Sequence, residues 1–285
     1  MLNRSIPPFF SSISNIKLPP LLTTTLSNGL KIHSIKNNQL QVFRLEIIFA
    51  AGSYFGEKFG QSFFTSKTLN LGTSNMSAKE VAEEFEKLGG FLEINQNVER
   101  LNITLHGLSS FFKKQTNNLF EIINSPVFPE TELEIQKNIT KQSLLVNLEK
   151  TSFESNRVFR AGLYGNHVFG KSMDYQDIED TERNDLLSFF EENIKNSDFE
   201  VFLSGNFDES DLDFLSDQLQ SLTVKNVKRE VITPRLFPAF ENRIEKEGNI
   251  QCSIRIGKRM INRKHPDFYK FMVTNTILGG YFGSR

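Results

Sequence analysis

The stretch Gly60 to Thr73, GQSFFTSKTLNLGT, reads as a helix over 60–71, opened by a glycine and closed by Gly72-Thr73. Upstream of it, LSNGLKIHSI (Leu26 to Ile35) and VFRLEIIFAAGSYFGEKFG (Val42 to Gly60) have the β-branched, alternating look of strands, placed at 30–35 and 41–50. Downstream, in GTSNMSAKEVAEEFEKLGGFLEI (Gly72 to Ile94), Ser77 stands three residues before Glu80 at the start of a helix over 78–88, the spacing of a capping box. Leu88-Gly89-Gly90 ends that helix, where glycine serves as a C-terminal cap, and leads into a strand over 90–96. The charged boundary Val98-Glu99-Arg100 suggests a hairpin into a strand over 100–107. Helices are read at 109–124, 130–150, 153–163 and 183–194; FEVFLSGNF (Phe199 to Phe207) is a short apolar strand, and ESDLDFLSDQL returns to helix. The sum predicts an α+β fold, an open, mostly antiparallel or mixed sheet with helices packed on one face.

Composition bounds the function. At 285 residues, with 38% hydrophobic and 24% charged, the chain holds one large or two ordinary domains. A net charge of −1 with both signs interspersed leaves no electrostatic footprint for nucleic acid or an anionic membrane. One cysteine, Cys252, excludes an internal disulfide and fits a reducing compartment. The opening MLNRSIPPFFSSISNIKLPPLL is broken by Pro7, Pro8, Pro19 and Pro20, which argues against a signal peptide and a membrane span, so a cytoplasmic location is expected.

In this order the blocks resemble the insulinase, pitrilysin and mitochondrial processing peptidase family: a "NGL.V" strand, a strand ending in "AGS", a Gly-opened helix closing on "GT", and a helix ending in "LGG". HPDFYKFMVTNTILGGYFGSR (His265 to Arg285) resembles the family's second-domain signature. The resemblance implies an N-terminal extension over 1–24, an insulinase-like, metallopeptidase-type domain over 25–221, a linker over 222–243 and the incomplete start of a second, similar domain over 244–285. In that last part a strand is expected near 249–257 and a helix near 267–278. The family continues beyond the equivalent of Arg285 into a helix and an Arg and Tyr pair that help bind substrate, so the sequence is expected to be a fragment.

The family's Gly-opened helix carries His-x-x-Glu-His, two zinc ligands one turn apart with the general base between them. Setting the Gly and Gly-Thr anchors in register puts Phe63, Ser66 and Lys67 at those positions. Phe63 has no lone pair, Ser66 is a poor base and Lys67 is a cation that repels metal. The family's third ligand, a downstream Glu, corresponds to Gln142 and its neighbours, and Gln142 is neutral and a weak zinc ligand. No catalytic residue, metal ligand or cofactor of this chain's own is therefore expected, zinc belonging to the active members of the family and to a presumed partner. Phe63 is expected to pack in the core in place of a wet metal site.

Other chemistries find no residues. His33 and His106 fall in strand-like runs and read as sheet-face side chains; His167 sits in a Gly-flanked turn, and His265 precedes a helix start at Pro266-Asp267. Cys252, in the alternating NIQCSIRI, reads as a buried, inert thiol. Ser66 and Lys67 are helix neighbours that do not face each other, and there is no Gly-x-Ser-x-Gly or phosphate-binding glycine loop. What the resemblance implies is a non-catalytic unit pairing with a zinc-bearing homologue, or with itself, around an extended peptide. The peptide-binding candidate is the strand Gly89, Gly90, Phe91, Leu92, Glu93, Ile94 and Asn95, read as a sheet edge, with an ordinary inner strand as the plainer alternative. Two other readings stay open: a binding or scaffold module with no peptidase role, and a zinc metalloendopeptidase whose site is registered differently.

Overall fold

The computed structural model describes residues 17–280 apart from 198, 221 and 223–233. Its strands are β1 (Leu22–Thr25), β2 (Lys31–Lys36), β3 (Val42–Phe49), β4 (Phe91–Gln96), β5 (Leu101–Leu108) and β6 (Phe199–Gly205), hydrogen-bonded in the order β1-β2-β6-β3-β5-β4. Along β3, Phe43, Leu45, Ile47 and Phe49 are buried, while Val42, Arg44, Glu46 and Ile48 turn to the other side. This is the period-two alternation of a sheet with one covered face. β5 and β6 flank β3 antiparallel and repeat its pattern with Leu101, Ile103 and Leu105 and with Phe199, Val201 and Leu203. β2 runs parallel to β6, and β1 and β4 close the two edges antiparallel. The mixed, open sheet is as the sequence predicts.

The helices are α1 (Gly60–Thr68), α2 (Ala78–Glu86), α3 (Phe112–Asn124), α4 (Glu130–Leu148), α5 (Thr151–Tyr164), α6 (Tyr175–Glu179), α7 (Arg183–Phe190), α8 (Glu209–Gln220) and α9 (Phe268–Asn275). α3 lies on the buried face of the sheet, the Phe112 ring 4.6 Å from that of Phe43, with α2 and α8 beside it. α1 packs against β4 and α7. Gly60 opens α1 because a Cβ there would run into the Thr181 hydroxyl and the Asp177 carbonyl. The capping box of α2 forms as read, Ser77 N–H donating to Glu80 Oε2 at 2.8 Å. Gly89 takes φ 63° after that helix, the left-handed region where glycine carries no Cβ penalty.

The chain divides into two compact units, Met1–Thr140 with Tyr175–Val231, and Lys141–Asp174 with Ile232–Arg285. The sheet lies wholly in the first. In the second, Arg160 on α5 donates to the Phe169 carbonyl at 3.1 and 2.8 Å, Lys246 Nζ reaches the Leu148 carbonyl at 2.6 Å, and Phe159 stands 6.5 Å from Phe240. Residues 1–16 of the expected extension, 223–233 of the expected linker and the closing 281–285 lie outside the described residues.

Several expectations are corrected. Residues 249–257 form no strand: Ile250, Ile254 and Ile256 are exposed, because a strand needs a neighbour for its N–H and C=O groups and none of the described residues pairs with it. Cys252 is for the same reason exposed and not buried. The four-residue strand β1 and the short helix α6 carry too little periodicity to have been read, and α7 passes into a π turn over Glu191–Lys195.

On α1 the core phenylalanine is Phe64, fully buried, whereas Phe63 is half-buried. α1 is buried over most of its circumference, through Gln61, Ser62, Phe64, Thr65, Ser66 and Thr68, and the side it leaves open is the one that carries Phe63 and, one turn on, Lys67. Phe64→Ala is expected to lower stability by about 3–5 kcal/mol and Phe63→Ala by about 1 kcal/mol or less. Urea denaturation midpoints compare the two; equal losses would put both rings in the core.

Candidate functional site

Lys58 fixes the start of α1. Its Nζ lies 2.7 Å from Asp185 Oδ2 at the start of α7 and 2.9 Å from the Asp180 carbonyl, while its N–H donates to Gln61 Oε1 at 3.1 Å. The hydrogen bond to Asp185 lifts the Lys58 pKa above its ordinary 10.5; burial opposes this, and the charges of Asp185, Glu182 and Asp180 add to it. Ser62 Oγ donates to the Ala51 carbonyl at 2.7 Å and ties the helix to the loop that leaves β3. That loop is itself bonded to the β4–β5 hairpin, Ser53 N–H to the Asn97 carbonyl at 3.1 Å and Tyr54 N–H to the Val98 carbonyl at 2.8 Å. The helix and the hairpin are thus held in one arrangement.

Phe63, Ser66 and Lys67 are brought together on α1. Lys67 is exposed, its Nζ 5.7 Å from the centroid of the Phe63 ring, a cation–π contact that neighbours at i and i+4 can make. Ser66 is buried, and its Oγ donates to the Phe63 carbonyl at 2.7 Å, one turn back on its own helix. The cluster offers an aromatic face, an ammonium and a hydroxyl already engaged. Zinc takes imidazole, thiolate or carboxylate donors, so these residues do not fit it. Gln142 is exposed on α4. Among the described residues no group of three or more His, Cys, Asp or Glu could hold a metal ion.

Beside α1 runs β4, the edge of the sheet. Its candidate residues alternate: Phe91, Glu93 and Asn95 share the open face with His106, Thr104 and Asn102, to which they are paired, and Leu92 and Ile94 turn toward the helices with Leu105 and Ile103. Gly89 and Gly90 form the turn that delivers the chain from α2 into this edge, Gly90 N–H donating to the Phe85 carbonyl at 2.8 Å. The open face also carries an ion pair of Arg44 and Glu46 at 2.8 Å, with Asn102 Nδ2 donating to Glu46 Oε1 at 3.2 Å. Sequence reading offered an edge as the candidate and an inner strand as the plainer alternative; the strand order puts β4 at the edge, and the contacts of its open face appear only with the register of the hairpin.

The histidines have local partners. His33 Nδ1 lies 3.0 Å from Thr23 Oγ1, with its ring stacked on Phe202 at 5.3 Å. His106 Nε2 stands 3.8 Å from Glu93 Oε2, and the Nδ1 atoms of His167 and His265 accept from the Phe169 and Asp267 N–H groups at 3.3 and 3.1 Å. Among the described residues no helix is long and apolar enough to cross a membrane.

A one-sided sheet with a Gly-opened helix lying against its edge strand is the α+β framework on which these residues stand. Residues 31–170 match the family model described as insulinase (peptidase family M16), and residues 180–285 match the peptidase M16 inactive domain. The chain belongs to the insulinase, or M16, peptidase family. It is 22% identical to the probable mitochondrial-processing peptidase subunit beta of Schizosaccharomyces pombe over 98% of this chain and 63% of that protein. It is also 22% identical to an uncharacterized zinc protease of Rickettsia felis over 91% of this chain and 64% of that one, so the chain spans less than two thirds of these relatives. The peptidase M16 inactive domain of Pseudomonas fluorescens superposes with a TM-score of 0.69 at 22% identity, covering 75% of this chain and 54% of that one.

Two outcomes follow from the geometry of α1. Because the Lys58 pKa is raised in the folded chain, the stabilisation it gives is complete below the ordinary lysine value of 10.5 and is lost as pH rises through the higher folded value. The stability difference between wild type and Lys58→Met is therefore expected to be level below that pH and to shrink above it, and a flat difference across the alkaline range would remove the ion pair from the account. Separately, Phe63→His, Ser66→Glu and Lys67→His made together are expected to yield no peptide turnover, since Gln142 remains a poor third ligand. Turnover accompanied by one zinc per chain, measured by elemental analysis, would contradict this.

Proposed function

We propose that this chain is a non-catalytic member of the M16 family that pairs with a zinc-bearing homologue to form a peptide-binding or peptide-degrading chamber. The observation that carries the reading is α1: its helix, its glycine and its ties to β3 and α7 are in place, while Phe63, Ser66 and Lys67 offer nothing to coordinate metal or activate water. The fold is kept where it supports a wall, and the chemistry is absent where it would support cleavage. In this role β4 receives an extended peptide as an added strand, with main-chain hydrogen bonds giving affinity and side chains of the open face giving selectivity. A multi-subunit setting is supported by the Schizosaccharomyces pombe relative, which is a named subunit, the probable mitochondrial-processing peptidase subunit beta.

Residues 25–221 would form the first domain and 244–285 the start of the second.

The test is co-expression with a zinc-motif homologue from the same genome, followed by metal analysis and peptide hydrolysis. The expected result is no zinc on this chain alone and a heterodimer holding one zinc that cuts peptides faster than the homologue by itself. Failure to form any complex, with unchanged activity of the homologue, would favour a separate binding or scaffold role. About one zinc per lone chain would overturn the inactive assignment.

A further inference from the structure

The register of the β4–β5 hairpin decides what the edge presents. Asn97 N–H donates to the Arg100 carbonyl at 2.9 Å, closing the turn, and the pairing continues without a bulge from Gln96 opposite Leu101 to Phe91 opposite His106. In an antiparallel pair, hydrogen-bonded and non-hydrogen-bonded positions alternate. Phe91, Glu93 and Asn95 therefore spend their main-chain groups on β5, and the N–H and C=O groups of Leu92, Ile94 and Gln96 point outward along the edge. A strand added there bonds to the even-numbered residues, while its side chains on the open face stand opposite Phe91, Glu93 and Asn95.

Those three residues are chemically unequal. Phe91 is 61% exposed, Asn95 is exposed and neutral, and Glu93 carries the one carboxylate among the six paired positions of β4 and β5 on this face, none of which is lysine or arginine. His106 Nε2 sits 3.8 Å from Glu93 Oε2 on the inner side, and the Glu93 side chain remains 44% exposed. The nearest cation one strand further in, Arg44, is engaged by Glu46 at 2.8 Å. We propose that Glu93 selects an extended peptide carrying a basic side chain opposite it, with an apolar side chain two residues away over Phe91. This deepens the reading of β4 as the peptide-receiving edge and rests on it. Directly opposed residues bring their Cβ atoms to about 5 Å, so lysine or arginine reaches the carboxylate, and the alternation of two fixes the spacing of the apolar residue. An edge-strand charge can also serve only to discourage sheet-to-sheet aggregation, a role that requires no preference for the sign of a bound peptide.

Three dye-labelled peptides test this by fluorescence anisotropy on the full chain: Val-Thr-Lys-Thr-Val, Val-Thr-Glu-Thr-Val and Val-Pro-Lys-Pro-Val, each flanked by threonines. The added strand is taken as antiparallel to β4, where the prolines delete the main-chain donors that the Leu92 and Ile94 carbonyls would meet. The lysine peptide is expected to bind about fivefold to tenfold tighter than the glutamate peptide, the size expected of an opposite-charge cross-strand pair set against a like-charge one. Glu93→Lys is expected to invert the order and Glu93→Gln to level it, with unchanged circular dichroism as the control on folding. Equal binding of lysine and glutamate peptides, with the proline peptide excluded, overturns the role of Glu93 and leaves the edge reading standing. Binding of no peptide above the proline control removes the edge reading and this proposal together.

Discussion

The alternation along β3 is the constraint from which the rest of the structure follows. Phe43, Leu45, Ile47 and Phe49 lie on one side of the central strand, and the antiparallel registers with β5 and β6 carry the same sidedness outward. Each such side chain contributes about 1.5–3 kcal/mol when removed from water, and a slip of one residue would turn all of them outward at once. The sheet is therefore pinned to a single register, and α3, with α2 and α8 beside it, packs on the covered side. The opposite face carries Arg44 and Glu46 paired along β3, Asn102 donating to Glu46 from β5, and His106 3.8 Å from Glu93.

The same one-sidedness separates the two jobs of α1. The residues that hold it are Gly60 against Thr181, Ser62 on the Ala51 carbonyl and Phe64 in the core, and none of them lies at the positions aligned with a metal motif. Phe63 and Lys67 cover each other on the outer side of the helix, and Ser66 satisfies its hydroxyl on its own backbone. Changing those three positions removes no tie to β3 or α7. A helix built this way keeps its place whether or not it carries donors, which is why its Gly and Gly-Thr anchors read so plainly in a sequence that lacks the ligands between them.

How far the sequence could be read depended on whether the signal was local. The capping box at Ser77 and Glu80 and the glycine turn at Gly89 are short-range chemistry, and both stand where they were read. The one-residue choice between Phe63 and Phe64 was beyond it, because two adjacent phenylalanines give a helix no preferred face until its neighbours α7 and β4 are known. The alternation in NIQCSIRI promised a strand and a buried Cys252, yet alternation states only that a segment could pair, and a ladder also requires a second strand. The contact of Glu93 with His106 lay equally out of reach, since it is a diagonal one that exists only once the hairpin register sets Glu93 opposite Thr104 and His106 opposite Phe91.

Peptide recognition on a sheet edge and peptide cleavage make different demands on the same framework. Recognition asks for an edge with its main-chain groups turned outward and a face whose side chains are fixed in register, and both are properties of the strand pairing alone. Cleavage asks for donors that bind a metal and a base that activates water, which only side chains at particular helix positions can supply. In this chain the first set of requirements follows from the core of β3 and β5, so it cannot be lost without unfolding the sheet; the second has no such anchor. Loss of the chemistry without loss of the wall is therefore a divergence this architecture permits, and it is the physical basis of the proposal that the chain serves as a partner.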